Sequence, residues 1–336
     1  MNLVTGGAGH LGNVLVRELL ARGEDVKVLI LPGENTQSLE GLSVEVVEGN
    51  ILDLDCLKNA MKDVDVVFHL AGLVSITEDQ KQLLQAVNVG GTRNILEAAK
   101  LSGVRQVIYT SSIHALERPP LGVSINESLN FDPDNPAGPY DRTKAEASLL
   151  VKEAALQGID TRIVCPTGVI GPYDFRRSEM GELILSWMTK KMDFLIDGAF
   201  DFVDVRDVAA GQILARDHGK PGETYILGGE RIDLKLLHTL VEKVTGKKKP
   251  MITFPLPIAW IVAPIAELYY KITKTRPVFT RYSIETVLSN SEVSSEKAKN
   301  ELGYKPRGLA ESVADTVRWW GDHLGLIKRS LRINEE

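Results

Sequence analysis

Tyr140 and Lys144 stand four residues apart in the run Tyr140-Asp141-Arg142-Thr143-Lys144, so on a helix they share a face, one turn from each other. A phenol beside an ammonium is an acid/base device. A tyrosine ordinarily ionises near about 10, so a base working at neutrality needs its phenolate stabilised by about 4 kcal/mol. One cation at ~4 Å in a medium of effective dielectric ~20 supplies that much. The same spacing also occurs on solvated helix faces, so the reading depends on what surrounds the pair.

Pro133, Pro136 and Pro139 mark a loop that delivers Tyr140 to a helix start, and that helix runs on to a stop near Gly158. Upstream, Leu3-Val4 leads into Thr5-Gly6-Gly7-Ala8-Gly9-His10-Leu11-Gly12 and then a helical pattern to Gly23. In that strand, glycine turn and helix, Gly6, Gly9 and Gly12 let backbone N–H groups and a positive helix terminus approach a pyrophosphate. The next strand, Val26 to Ile30, ends at Leu31-Pro32-Gly33-Glu34, which matches neither the acidic residue that binds a ribose 2′-hydroxyl nor the arginine that pairs a 2′-phosphate. The absence of a nearby cation leans slightly to NAD over NADP; His10 in the glycine turn could reverse it.

Further along, Asp53 either accepts from the adenine amino group or caps a helix. The strand Val64 to Leu70 ends in His69-Leu70-Ala71-Gly72, small where a cofactor lies close. A long helix is expected from Gln80 to Leu101, interrupted by Asn88 and Gly90-Gly91. The strand Gln106 to Tyr109 ends at Thr110-Ser111-Ser112, and in an open parallel sheet such strand ends face the ligand crevice. Ser112 is therefore placed either to hold a reacting oxygen or to cap a helix. Strands alternate with helices from Leu3 to Val164, which predicts an α/β chain: a Rossmann-type doubly wound parallel sheet followed by a smaller C-terminal substrate lobe. The expected division is a core over 1–166, a mainly substrate-binding lobe over 167–328 with 201–227 returning to the core, and a charged tail over 329–336. Asp207 is expected to cap a helix in that returning segment.

The whole chain bounds the rest. It has 336 residues and a formal net charge of −6, with no basic block, which argues against nucleic acid as a partner. Its six histidines form no ligand cluster, so no metal is expected. Cys56 and Cys165 are too few for a disulfide framework, and strand-like residues follow Met1 directly, leaving no room for a signal peptide. A cytoplasmic location is expected. The apolar run from Met251 to Ala266 is broken by three prolines and is shorter than the ~20 residues a membrane span needs. A buried or substrate-facing helix is expected there, with membrane-surface contact as the lesser reading. Trp187, Trp260, Tyr269 and Tyr270 are expected to fill the small lobe's core rather than line a pocket.

Taken in order, the glycine turn, Asp53, His69 to Gly72, Asn88 with Gly91-Thr92, Ser111-Ser112, Tyr140 with Lys144 and Pro166-Thr167-Gly168-Val169-Ile170-Gly171-Pro172 resemble the extended branch of the short-chain dehydrogenase/reductase superfamily. Phe202 to Ala209 and Glu301 to Pro306 extend the likeness over almost the entire chain. Within that branch, the NAD-dependent epimerase/dehydratase family, the sequence is most similar to the dihydroflavonol-reductase and 3β-hydroxysteroid-dehydrogenase-like group. The resemblance implies a catalytic triad of Ser112, Tyr140 and Lys144. It implies cofactor contacts from Gly6, Gly9, His10, Leu11 and Gly12; from Ile51 and Asp53; from Leu70, Ala71 and Gly72; from Asn88, Thr110, Tyr140 and Lys144; and from Pro166, Thr167, Gly168 and Val169. Candidate substrate contacts are Ser112, His114, Tyr173 and Arg176. A homodimer is implied, joined by the helices around 80–101 and 140–157. Leu31 and Asn50 depart from the group, where arginine and aspartate are common.

The expected activity is NAD(P)-dependent, reversible hydride transfer at a carbonyl/alcohol carbon of a small molecule. Two alternatives remain: a nucleotide-sugar 4-epimerase or dehydratase that uses bound NAD transiently, and a dinucleotide-sensing protein without catalysis.

Overall fold

The computed structural model describes residues 1–74, 80–273 and 279–326; the charged tail expected over 329–336 lies outside them. Its strands are β1 (Asn2–Thr5), β2 (Val26–Ile30), β3 (Glu45–Glu48), β4 (Val66–His69), β5 (Gln106–Thr110), β6 (Thr161–Pro166), β7 (Gly168–Ile170), β8 (Asp193–Ile196), β9 (Ala199–Asp204), β10 (Thr224–Leu227), β11 (Glu230–Asp233) and β12 (Met251–Phe254). Its helices are α1 (His10–Ala21), α2 (Leu54–Ala60), α3 (Lys81–Leu84), α4 (Gly91–Ser102), α5 (Pro139–Leu156), α6 (Glu179–Thr189), α7 (Val205–His218), α8 (Leu234–Thr245), α9 (Leu256–Thr273), α10 (Arg281–Leu288), α11 (Glu296–Leu302) and α12 (Leu309–His323).

Seven strands form one parallel sheet in the order β10-β6-β5-β4-β1-β2-β3. This is the doubly wound sheet expected from the alternation. Alternate residues of each inner strand enter opposite cores. Leu3, Val67, Val107 and Ile163 pack among α2, α4 and α5, and Val4, Phe68, Ile108 and Val164 among α1, α7 and α11. With both faces covered, the inner strands are apolar at most positions, which is why they read as near-continuous runs, broken by residues such as Lys27 and Arg162. The outer strand β3 carries Glu45 and Glu48, exposed charges that discourage edge pairing.

The chain order changes after β6. β7, β9 and β11 make a three-stranded sheet, and β8 pairs with β12 in a two-stranded one. α7 lies against α1, and β10 joins the main sheet beside β6.

Three local expectations are sharpened or corrected. The helix expected over 80–101 with an interruption at Asn88 and Gly90-Gly91 is α3, a π-helical stretch Gln85–Gly90 and α4; the extra residue per turn lies around Asn88. The cap of α7 is Asp204, whose side chain accepts from the N–H of Arg206 at 2.8 Å. Asp207 sits inside that helix and instead accepts from the Arg307 N–H and guanidinium. The apolar run after Met251 is β12 followed by α9, one side of which buries Ala259 and Ala263 and faces a cavity, while Ile261, Ile265 and Ile272 are 68%, 65% and 72% exposed. Pro255 precedes this helix, Pro257 lies in its first turn and Pro264 within it.

Candidate active site

Local chain geometry builds the cofactor end first. Gly6 has φ +72°, and a Cβ there would lie 2.8 Å from the amide nitrogen of Ala71; at Gly12 it would lie 2.1 Å from the carbonyl oxygen of Gly6. A side chain at either position would push the turn off the end of β4. No side chain caps α1, which starts after Gly9, so its first-turn N–H groups remain for an anion. His10 Nε2 donates to the Pro172 carbonyl at 3.0 Å, and the Asn13 amide donates to the carbonyls of Gly9 and Tyr173. His10 is thus engaged in fastening the glycine turn to the Gly171-Pro172 turn. Leu11 packs beside the second core.

Behind this turn a relay crosses the sheet ends. The Thr5 hydroxyl meets His69 Nδ1 at 2.8 Å, His69 Nε2 meets the Thr92 hydroxyl at 3.1 Å, and Thr92 donates to the Asn88 carbonyl at 2.6 Å. Burial, with the nearby Lys144 charge, drives His69 down to about 3, so it is neutral. In the π-helical stretch, the Asn88 amide grips both the N–H (2.8 Å) and the carbonyl (3.0 Å) of Leu73 and also donates to Thr143 (3.1 Å). Asn88 therefore clamps the strand end Leu70-Ala71-Gly72 to α5. Asp53 accepts from Cys56 N–H at 3.0 Å as the cap of α2, and Ile51 is buried against Gly91.

Ser112 and Tyr140 line the same cavity, and the Ser112 hydroxyl acts on the Tyr140 phenol, opposing part of its rise. Ser112 also caps a short turn, accepting from the His114 N–H at 3.2 Å, as its capping reading expects. Pro139 opens α5, where its fixed φ suits the first helical position. Lys144 donates to the Thr110 carbonyl at 2.7 Å and lies 5.0 Å from the centre of the Tyr109 ring. Thr110's hydroxyl is turned away to Gln212.

Burial decides the electrostatics. It lowers Lys144 to about 8 and raises Tyr140 well above its ordinary value, the Ser112 hydroxyl opposing this only in part. The expectation that Lys144 lowers the tyrosine is not met in this geometry: desolvation of the phenolate outweighs it, and the ammonium is directed at Thr110. Tyr140 is a protonated donor across the neutral range.

A group missed in the sequence stands over Tyr140. Asp141, fully buried, accepts from the Arg118 guanidinium at 2.9 Å and from the Tyr282 hydroxyl at 2.9 Å. It joins α10 of the smaller lobe to the first turn of α5. His114 stacks on Phe200 and faces Tyr282. The position of Asp141 directly after Tyr140 was the one sequence signal; nothing pointed to residue 282.

Ser112, His114, Tyr140, Thr167 and Gly168 line one cavity of about 550 Å³. Pro166 ends β6 just before it, and Val169 continues into β7. Most of the wall is apolar, including Trp187, Leu195, Phe254, Val262, Tyr270 and Phe279. Trp187 is buried in the core and also borders the cavity, Tyr270 lines the cavity, and Trp260 and Tyr269 are exposed, so core filling holds for Trp187 and is corrected for the other three. Among the described lining residues, the cation is Lys190 and there is no arginine. Two substrate candidates are corrected. Tyr173 packs under the Arg17 guanidinium and against Trp319, and Arg176 pairs with Glu34 and Asn35 beyond β2. Both lie on the glycine-turn side, outside the cavity wall.

Residues 2–228 match the model of the NAD dependent epimerase/dehydratase family. Sterol demethylase protein B of Methylococcus capsulatus is 37% identical over 95% of this chain and 97% of that protein. A putative dihydroflavonol 4-reductase of Synechocystis is 32% identical over 97% and 95%. The chain belongs to the NAD-dependent epimerase/dehydratase family. The crystal structure of gox2253 superposes with a TM-score of 0.85, at 32% identity, covering 98% of this chain and 99% of that one.

As a member of this extended short-chain family, the protein is a nicotinamide-dinucleotide enzyme of the dehydrogenase, reductase and epimerase kind. The glycine turn and the uncapped start of α1 fit such a cofactor. Among the described residues no helix is long and apolar enough to cross a membrane.

Proposed function

We propose that the enzyme reduces, and in reverse oxidises, one carbonyl/alcohol carbon of a large apolar molecule such as a polycyclic or isoprenoid ketone. The carrying observation is the apolar cavity of about 550 Å³ with Ser112 and Tyr140 on its wall. That volume suits a small-molecule site, and the name of its sterol demethylase relative supports the substrate class.

The glycine turn and the start of α1 would hold a nicotinamide dinucleotide, whose chemistry there would be hydride transfer. Ser112 and Tyr140 hold the carbonyl oxygen by two hydrogen bonds, stabilising the charge that develops there. Tyr140, kept protonated by burial, gives its proton to that oxygen. Lys144, held at the Thr110 carbonyl, would orient the cofactor ribose. In oxidation the same groups run backward. The cofactor reading leans to NAD, because Glu34, not a cation, stands closest in sequence to the end of β2 and holds Arg176. Exposed Leu83 on α3 and Leu149 on α5 support a homodimer through those helices; sedimentation of Leu149→Glu as a monomer checks it. Unpaired Cys56 and Cys165 suit a reducing cytoplasm.

The nucleotide-sugar epimerase reading is disfavoured, because a diphosphate calls for arginine or lysine partners and the described wall offers Lys190 alone. The deciding measurement is nicotinamide absorbance with ketosteroids, prenylated ketones and sugar nucleotides, each with NADH and NADPH. Stoichiometric cofactor consumption with an apolar ketone is expected. Conversion of a sugar nucleotide without net cofactor change overturns the proposal.

A further inference from the structure

α9 is apolar on two faces centred about 120° apart around its axis. One face carries Val262, Ala266 and Tyr270, four apart, in the cavity wall. The other carries Ile258, Ile261, Ile265, Leu268 and Ile272, spaced by three and four, and these are 46% to 72% exposed. A helix that is apolar all round belongs in a core or in lipid, and a continuous exposed apolar stripe marks an interaction surface. Trp260 and Tyr269 flank the stripe, 38% and 59% exposed; both residue types favour the membrane–water interface. Met251 and Ile252, exposed on the strand that leads into the helix, extend the apolar surface.

Charge identifies the occupant. Between residues 247 and 273 the sequence has four lysines, Lys247, Lys248, Lys249 and Lys271, and one carboxylate, Glu267. Glu267 is neutralised by Arg281 at 2.8 Å. Lys190 and Lys191, at the end of α6, and Lys247 and Lys248 are exposed. A second copy of this chain would need only the isoleucine and leucine seam, with no use for a one-sided excess of lysine or for interfacial aromatics. An anionic lipid surface uses all three, the lysine stems lying along the apolar layer with their ammonium groups at the phosphates.

We infer that the outer face of α9 docks the enzyme on an anionic lipid surface, with the helix lying in the plane of the interface and its inner face still forming the cavity wall. One helix then separates the catalytic cavity from the lipid. A substrate that partitions into lipid reaches the cavity past α9 without crossing water. The docking rests on the exposed face and the lysines, so it stands or falls separately from the substrate class.

The test is flotation of the full chain with vesicles of phosphatidylcholine alone and of equal parts phosphatidylcholine and phosphatidylglycerol. The protein is expected to float with the mixed vesicles and to be released by high salt. The double variant Ile261→Glu with Ile265→Glu, its fold checked by thermal melting and dinucleotide affinity, is expected to bind those vesicles about tenfold less or weaker. Lys247→Glu with Lys248→Glu, which leaves the apolar face intact, should remove the preference for the anionic vesicles. Failure of the wild-type protein to float with mixed vesicles overturns the inference. So does undiminished flotation of the Ile261/Ile265 variant, or equal flotation of wild type with both vesicle types. A wild-type oligomer that the same variant dissociates, without vesicle binding, assigns the face to a second copy and also overturns it.

Discussion

The Lys144 ammonium donates to the carbonyl oxygen of Thr110 at 2.7 Å, in a site where the side chain is only 6% exposed. One carbonyl does not replace the water lost on burial, so the lysine falls to about 8. Below pH 8 both folded and unfolded chains carry the proton and the folded state bears the desolvation cost. Between 8 and the unfolded value of about 10.5, only the unfolded chain binds it, so stability rises with pH, by about 3 kcal/mol in all. Lys144→Met is expected to be more stable than wild type at pH 7 and to lack this rise, while turnover falls steeply. Paired denaturant titrations across that range check it; equal pH slopes for the two proteins refute it.

Tyr140 is held protonated by burial and lines the cavity with Ser112. Tyr140→Phe removes the proton donor and little volume, and should lower kcat by about 10²–10⁴-fold. Dinucleotide affinity, read by fluorescence titration, should change little. Wild-type turnover in this variant would remove Tyr140 from the chemistry.

Asp141 is buried and held on one side by Arg118 and on the other by Tyr282. Losing the Tyr282 hydroxyl leaves the Arg118 pair in place, so Tyr282→Phe should cost about 1–2 kcal/mol. Asp141→Ala strands the partly buried guanidinium and the phenol together and should cost more, about 3–5 kcal/mol. Because α10 hangs from this contact, both variants should also raise KM for substrate more than KM for cofactor. Chemical denaturation and steady-state kinetics on the two variants give both orderings.

Glu34 accepts from the Leu31 N–H at 2.7 Å and pairs with Arg176. Glu34→Gln weakens the hold on that guanidinium at the end of β2, where a 2′-phosphate of NADP would be read. The ratio of kcat/KM for NADPH over NADH should rise by about tenfold or more, an amount equal to one favourable charge contact. An unchanged ratio would show that Arg176 does not reach the ribose.

The sequence alone determined the sheet, because strands buried on both faces have to be apolar at most residues and their crossovers have to be amphipathic. It also determined the glycine turn, since Gly6 and Gly12 occupy positions where a Cβ would strike backbone, and it brought out Ser112, Tyr140 and Lys144 through strand end and helix spacing. Tertiary structure decided the rest. Desolvation set the charge states of Tyr140 and Lys144 in a direction that pairwise spacing could not show. Chain closure placed Tyr282, 141 residues away in sequence, on Asp141, and turned Tyr173 and Arg176 toward the glycine turn. The apolar run after Met251 is the clearest division between the two: composition states that the residues are apolar, but only packing decides which side of α9 lines a cavity and which side meets the surroundings.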